Sequence, residues 1–315
     1  MPTVFKKPIL IYNPVAGQTN PQNLRKAFQH VCEQYGWDSL LHETKKDEDL
    51  LSIVQHAIQQ NCDLIIAAGG DGTVSEVAST LVNHDLPLAI IPSGTGNLLA
   101  RQLHLPLNHQ KAFAYITNQP DSLYLDSMQI DAHHYILNVS IGLTSTMIEQ
   151  TTREEKRKFG MLAYVWNGIR VFIGFQPHRF HINIDSVHIT TRASEVFITH
   201  TVLLKGDPVF KELFNWTEEG NLGVFIIKAR TLWSYFQLLF DFIARKAHRT
   251  HNLTYYPLQK TFNISTKKTI SVQADGEAIG NTPMQMKVLP KAVRVLIPSK
   301  SANPSLLDAF VQRTG

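Results

Sequence analysis

The sequence predicts an α/β domain built on a parallel sheet, followed by an all-β, sandwich-like domain, with a cleft between the two. Three observations carry that reading. Apolar strands alternate with amphipathic helices from the start of the chain to about residue 118. Three of those strands run directly into turns rich in glycine or polar residues. Beyond that point the helices thin out and short strands follow one another closely. At 315 residues the chain exceeds the usual single domain. The boundary falls between 1–122 and 123–297, with 298–315 expected to pack back on the first domain.

The first strand is Pro8-Ile9-Leu10-Ile11-Tyr12, which ends in the turn Asn13-Pro14-Val15-Ala16-Gly17. Asn20-Pro21 then marks a helix start, Asn as cap and Pro in the first turn, where its missing N–H costs nothing. Leu24, Ala27, Phe28 and Val31 form the apolar face of that helix, and Gly36 closes it. Trp37 to Thr44 reads as a second strand. The helix over Asp49 to Gln60 should bury Leu50, Leu51, Val54 and Ile58. Cys62 to Ala68 is an apolar run that stops at Gly69-Gly70-Asp71-Gly72-Thr73, and a helix follows through Val82. Thr73 and Glu76 fit a capping box at its start. Leu86 to Pro92 is the next strand. It runs into Ser93-Gly94-Thr95-Gly96-Asn97, with Asn97 as cap for a short helix over Leu98 to Leu103.

In parallel sheets ligands gather beyond the carboxyl ends of the strands, where all three turns would lie. Glycines admit a ligand close to the backbone, and the amides at a helix N-terminus favour an anion. Asp71 beside a phosphate suits an intervening hard cation such as Mg²⁺. A tight strand-to-helix turn with a surface carboxylate is the alternative for any one turn taken singly. The sequence lacks G-x-x-x-x-G-K-[ST] and has no G-x-G-x-x-G after the first strand, which argues against a P-loop or a dinucleotide-binding Rossmann enzyme.

After a helix near Gln110 to Asn118, Leu123–Ile130 and Tyr135–Val139 read as a hairpin around Ala132-His133-His134. Further strands are expected at Phe180–Ile184, Val187–Thr191, Val196–Val202 and Gly223–Lys228. Leu232 to Ala244 is a strongly apolar helix ending in Arg245-Lys246-Ala247-His248-Arg249. It either packs in the core or rests on a bilayer with its basic end toward anionic headgroups. Ser271-Val272-Gln273-Ala274-Asp275-Gly276-Glu277 is a strand running into a turn. Alternation would put Asp275 and Glu277 on one side, where two acids repel unless a cation lies between them. Two exposed acids on a structural hairpin are the alternative.

Composition narrows the partners. Net charge is +4, too mild to indicate nucleic acid. Yet residues 230–300 hold eleven Lys or Arg against Asp241, Asp275 and Glu277 alone, a balance suited to an anionic membrane surface or a phosphorylated ligand. Cys32 and Cys62 give neither a disulfide framework nor zinc spacing, which suits a reducing cytoplasm. No apolar run reaches the roughly 18–20 residues a spanning helix needs. None of the 14 histidines falls in a recognisable ligand spacing. A homodimer is compatible with the sequence, which specifies no oligomeric state.

Taken together, Asn13-Pro14-Val15-Ala16-Gly17, Gly69 to Thr73 with Glu76, and Pro92 to Asn97 resemble the bacterial lipid kinases of the diacylglycerol kinase catalytic-domain family. That family shares a superfamily with sphingosine and NAD kinases. The resemblance extends through Asn138-Val139-Ser140-Ile141-Gly142, a basic residue before Gly160-Met161-Leu162-Ala163-Tyr164, and Asp275-Gly276-Glu277, and covers Ile9 to Ile297. It implies an ATP- and Mg²⁺-dependent transfer to a membrane-lipid hydroxyl, by a cytoplasmic protein attached peripherally to the membrane. By resemblance Asn13, Pro14, Gly17, Thr44, Gly69, Gly70, Asp71, Gly72, Thr73, Ser75, Glu76, Ser93, Gly94, Thr95 and Asn97 form the nucleotide site. Asp71 would help to hold Mg²⁺. Across the cleft, Glu277 with Asp275 beside it would take the hydroxyl proton. Glu219 stands where the family has an Asp that holds a structural Mg²⁺, and Ala278 where a proline often follows. A solvated turn is the other reading of Glu219. The superfamily also admits an NAD kinase-like enzyme, and the fold admits a non-catalytic nucleotide- or lipid-binding regulator.

Overall fold

The computed structural model describes residues 5–17, 20–46, 48–143, 177–201, 222–229, 231–243 and 252–299. The chain divides into two compact units, Met1–Ser127 with Leu289–Gly315, and Met128–Val288.

The first unit alternates as the sequence predicts. Its elements are β1 (Pro8–Tyr12), α1 (Pro21–Tyr35), β2 (Leu40–Glu43), α2 (Leu50–Gln59), β3 (Leu64–Gly69), α3 (Asp71–Thr80), β4 (Leu88–Pro92), α4 (Leu98–Gln102) and α5 (His109–Thr117). The strands are parallel in the order β2-β1-β3-β4. Every residue of β1, β3 and β4 is buried, as continuous apolar strands covered on both faces should be. Leu64, Ile65 and Ile66 have no exposed surface, each stabilising the fold by about 1.5–3 kcal/mol. α1 starts as expected: the Asn20 side chain accepts from Gln22 N, Pro21 sits in the first turn, and left-handed Gly36 ends it. Phe28 packs between Trp37 and Phe113, with ring centroids 6.5 and 6.0 Å away. In α2 the buried stripe is Leu50, Val54 and Ala57, while Leu51 is exposed. Asp49, the N-cap, accepts from Leu51 N at 3.0 Å.

β5 (Asp121–Ile130) carries the chain toward the second unit. It pairs antiparallel with β6 (His133–Tyr135), Met128 opposite Tyr135. The expected hairpin is therefore shorter than its sequence pattern. After Tyr135 the chain changes sheets and continues as β7 (Asn138–Gly142). Then follow β8 (His178–Ile184), β9 (Val187–Ala193), β10 (Glu195–His200), β11 (Leu222–Ile227), α6 (Leu232–Ile243), β12 (Leu253–Leu258), β13 (Thr261–Thr266), β14 (Ser271–Ala274), β15 (Glu277–Asn281) and β16 (Met284–Ile297).

The second unit is a sandwich of antiparallel sheets. One has the order β12-β11-β10-β7-β14-β15, and the other runs from the start of β16 through β13 and β8 to β9. Phe180, Ile182, Phe262 and Ile264 of one sheet share a core with Val139, Ile141, Val196, Val224 and Val272 of the other. The end of β16 belongs to the first unit, where Val295 lies parallel to Leu88 of β4.

Candidate active site

The parallel register brings four strand ends to one rim. Tyr12 is opposite both Glu43 and Ala68, and Gly69 is opposite Pro92. The ladder runs one residue further, with Thr44 N donating to Tyr12 O, Asn13 N to Ala68 O and Ser93 N to Gly69 O, each at 2.9 Å. Thr44 and the three glycine-rich turns thus leave the sheet side by side.

The turns then lock into one another. A side chain on Gly94 would place its Cβ 2.4 Å from the Gly70 Cα, and one on Gly17, where φ is +60°, would lie 2.2 Å from the Ser93 carbonyl oxygen. No side chain fits at either point, because the neighbour is backbone. Asn13 Nδ2 donates to Thr73 Oγ1 at 3.2 Å, and Asn13 Oδ1 accepts from Val15 N at 3.0 Å, folding the Pro14 turn. Asn97 accepts from Gly94 N and donates to Gly94 O at 2.9 and 2.8 Å, and Arg101 Nε donates to Gly96 O.

Asp71 ties two turns together. Its Oδ1 accepts from Leu98 N, the first amide of α4, at 2.5 Å. Its Oδ2 faces Gly96, where an added Cβ would come within 2.7 Å. Glycine at 96 keeps that oxygen uncovered. One anchored and one uncovered carboxylate oxygen fit a Mg²⁺ ion that takes its other ligands from phosphates and water.

Two expected caps differ. α3 begins at Asp71 with Gly70 as N-cap, and no side chain closes its first turn. Thr73 is therefore the third helical residue and Glu76 the sixth, too far along to reach back, so the capping box does not form. Its first-turn amides remain directed at the rim, which suits an anion. Glu76 is exposed, whereas Ser75 is buried with Val74, Val77 and Ala78 on the inner face of α3. Asn97 has a left-handed backbone and does not cap α4 with its side chain; Asp71 takes the α4 amide instead. Thr95 and Gly72 are exposed on the rim.

His109 was not legible in the sequence as part of this site. Its ring lies 3.3 Å from Ser93 Oγ, and burial pushes its pKa below the usual histidine value, partly offset by a bond to the Pro92 backbone. It also lines a groove of about 830 Å³ between α1 and α5, with Lys26, His30, Tyr35 and Phe113.

In the second unit the acid pair sits at a two-residue turn. Asp275 and Gly276 are themselves the two-residue turn between β14 and β15, with φ of +49° and +91°. The Asp275 carboxylate accepts from Ile136 N on one oxygen and from Leu137 N and Asn138 N on the other, each at 2.9 Å. Those three amides belong to the stretch where the chain leaves β6 for β7. The Asp275 carboxylate thus anchors that stretch. Glu277, the first residue of β15, is exposed, and its carboxylate takes no hydrogen bond from the described residues. Tyr135 is a further neighbour; burial raises its pKa, and the charges of Asp275, Glu277 and Asp131 add to the rise. Its phenol keeps its proton beside the pair.

Glu219, the stretches 153–164 and 245–249, and residues 300–315 lie outside the described residues. Among the described residues no three His, Cys, Asp or Glu side chains group as a metal site, and no helix is long and apolar enough to cross a membrane.

Residues 7–128 match the diacylglycerol kinase catalytic domain, and residues 138–297 match the YegS C-terminal NAD kinase beta sandwich-like domain. A protein of Staphylococcus carnosus named diacylglycerol kinase is 24% identical over 308 residues, covering 96% of this chain and 99% of that protein. An uncharacterized protein of Synechocystis is 28% identical over 308 residues, covering 93% of this chain and 70% of its own length. The crystal structure of a diacylglycerol kinase from Bacillus anthracis superposes with a TM-score of 0.72 at 26% identity, covering 95% and 99% of the two chains.

Proposed function

Because the chain belongs to the diacylglycerol kinase catalytic-domain family, we propose that it transfers the γ-phosphoryl group of ATP to the hydroxyl of a membrane lipid, diacylglycerol or a related lipid alcohol. The observation that carries this reading is the interlocking of three strand-end turns around Asp71 on one rim. Phosphoryl transfer asks for positioning and charge neutralisation more than for covalent chemistry. A rim of backbone amides whose turns are fixed by mutual contact supplies the positioning without rearrangement.

In this reading the amides at the start of α3 and the Gly94–Gly96 turn hold the ATP phosphates, and Asn13, Thr44 and Thr95 border them. Asp71 keeps one oxygen on the α4 amide and offers the other to Mg²⁺. When bound, the metal neutralises charge developing on the phosphate oxygens. The lipid oxygen bonds to the γ-phosphorus as the bond to the β–γ bridging oxygen breaks, and the hydroxyl proton passes to Glu277. Proton loss late in a loose transition state does not require a strongly raised base pKa. Asp275 holds the turn from which Glu277 extends. The lipid substrate brings the protein to a membrane surface, and the basic balance of residues 230–300 suits an anionic one.

The test is incubation of the full chain with γ-labelled ATP, Mg²⁺ and a total lipid extract, with identification of the labelled product. A labelled lipid phosphomonoester is expected. Label in a soluble dinucleotide with lipids inert, or no ADP formed with any lipid, would overturn the reading.

A further inference from the structure

The sequence left α6 with two fates, core or membrane. The structure packs one side of the helix and leaves the other exposed. Tyr235 donates its hydroxyl to Ser194 Oγ at 2.6 Å, and Leu238 is buried, so this side faces the sandwich. Thr231 and Ser234 close the N-terminus reciprocally: Ser234 N donates to Thr231 Oγ1 at 3.1 Å and Thr231 N to Ser234 Oγ at 2.9 Å. The helix is thus fixed at its start and along one face.

The opposite stripe is aromatic and exposed. Trp233, Phe236 and Phe240 stand at i, i+3 and i+7 with 70%, 61% and 66% of their surface accessible. At 3.6 residues per turn these positions share one face. Single exposed apolar residues are ordinary, but three large aromatics aligned on an anchored helix are a surface for something to cover.

We propose that this stripe seats the protein on a lipid bilayer, with Trp233, Phe236 and Phe240 entering the boundary between headgroups and acyl chains and the helix lying in the interface plane. The choice of a bilayer rests on the lipid-kinase reading and on charge. Between Arg230 and Arg249 the sequence has Arg230, Arg245, Lys246 and Arg249 against Asp241 alone. Basic residues flanking an aromatic helix complement anionic headgroups, whereas a second copy of this chain would bring the same positive charge to the contact. Aromatic side chains, Trp above all, suit a boundary that is apolar on one side and wet on the other.

The test uses the full chain and the triple variant Trp233→Ser, Phe236→Ser, Phe240→Ser, whose exposed positions leave the core unchanged. Sedimentation with phosphatidylglycerol-containing vesicles is measured beside turnover of a short-chain diacylglycerol below its micelle concentration. The wild type is expected to sediment with the vesicles, and the triple variant to lose about tenfold or more in partitioning while turning over the dissolved acceptor at the wild-type rate. Equal partitioning of the two proteins, or no vesicle binding by the wild type, would overturn the proposal. So would a wild-type dimer that the triple variant converts to monomer. If neither protein phosphorylates the dissolved acceptor but vesicle binding still falls in the variant, the docking face stands and the kinase reading fails.

Discussion

Two turns of the sandwich use the same device for different ends. At the β8–β9 turn Asp185 has φ of +51°, and its carboxylate accepts from Gln259 N, Lys260 N and Thr261 N at 3.0, 2.8 and 2.8 Å. At the β14–β15 turn Asp275 does the same for Ile136, Leu137 and Asn138. Aspartate tolerates the left-handed backbone of such a turn, and one carboxylate satisfies three amides that no ladder reaches. At Asp185 the clamped amides are exposed, and Ser186 completes the turn. At Asp275 they are partly buried, Gly276 completes the turn, and Glu277 follows it. The clamp is therefore a folding device in itself, and what distinguishes the second turn is the exposed glutamate it presents. Asp71 combines both roles: one oxygen clamps the α4 amide and the other is left uncovered.

Three substitutions and a pH titration separate clamp from chemistry. The largest effect is expected from Asp71→Ala, which removes an anchor and an electrostatic partner together. Transfer should fall by about 100-fold or more, measured as labelled lipid per minute on protein whose circular dichroism is unchanged. Near-normal turnover would show that the carboxylate only caps α4. Asp275→Ala leaves three amides without their acceptor, two of them on the buried residues Ile136 and Leu137. A loss of about 2–4 kcal/mol in denaturant unfolding is expected, with turnover lowered because Glu277 loses its support. Asp185→Ala should cost about 1 kcal/mol, since water reaches its exposed amides, and should leave turnover alone. If Asp185→Ala proved the more destabilising, or slowed turnover, the two turns would not differ as described.

The smallest effect concerns pH. Burial depresses the pKa of His109, His134 and His178. Below the ordinary value of about 6.5 the unfolded chain binds these protons before the folded one. Stability from this source is present above that pH and declines as pH falls through the lower folded values. Melting temperatures measured from pH 7.5 to 5 should fall, and His109→Gln should flatten part of the slope. A slope unchanged by that substitution would remove His109 from the explanation.

Much of this was legible along the chain. Alternating strands and helices, the Asn20-Pro21 start, the Gly36 stop and three glycine-rich strand ends are local patterns, each set by backbone chemistry within a few residues. The rest depended on partners far away in sequence. Asp71 replaces Asn97 as the cap of α4 from 27 residues upstream. The hairpin after Ile130 breaks at Tyr135 because Asp275, more than 130 residues later, claims the next three amides. His109 reaches Ser93 only through the packing of α5 on β4. No local pattern encodes these contacts, and the amides that Asp275 holds lie more than 130 residues before it.

In the proposed reaction Asp275 supports the β14–β15 turn and Glu277 accepts the hydroxyl proton. Glu277→Gln tests this most directly, because it keeps size and polarity while removing the proton acceptor. Transfer to dissolved diacylglycerol and thermal melting are measured on one preparation. The kcat is expected to fall by about 100-fold or more, with the KM for ATP and the melting temperature unchanged. Turnover within a few-fold of wild type would contradict that role for Glu277.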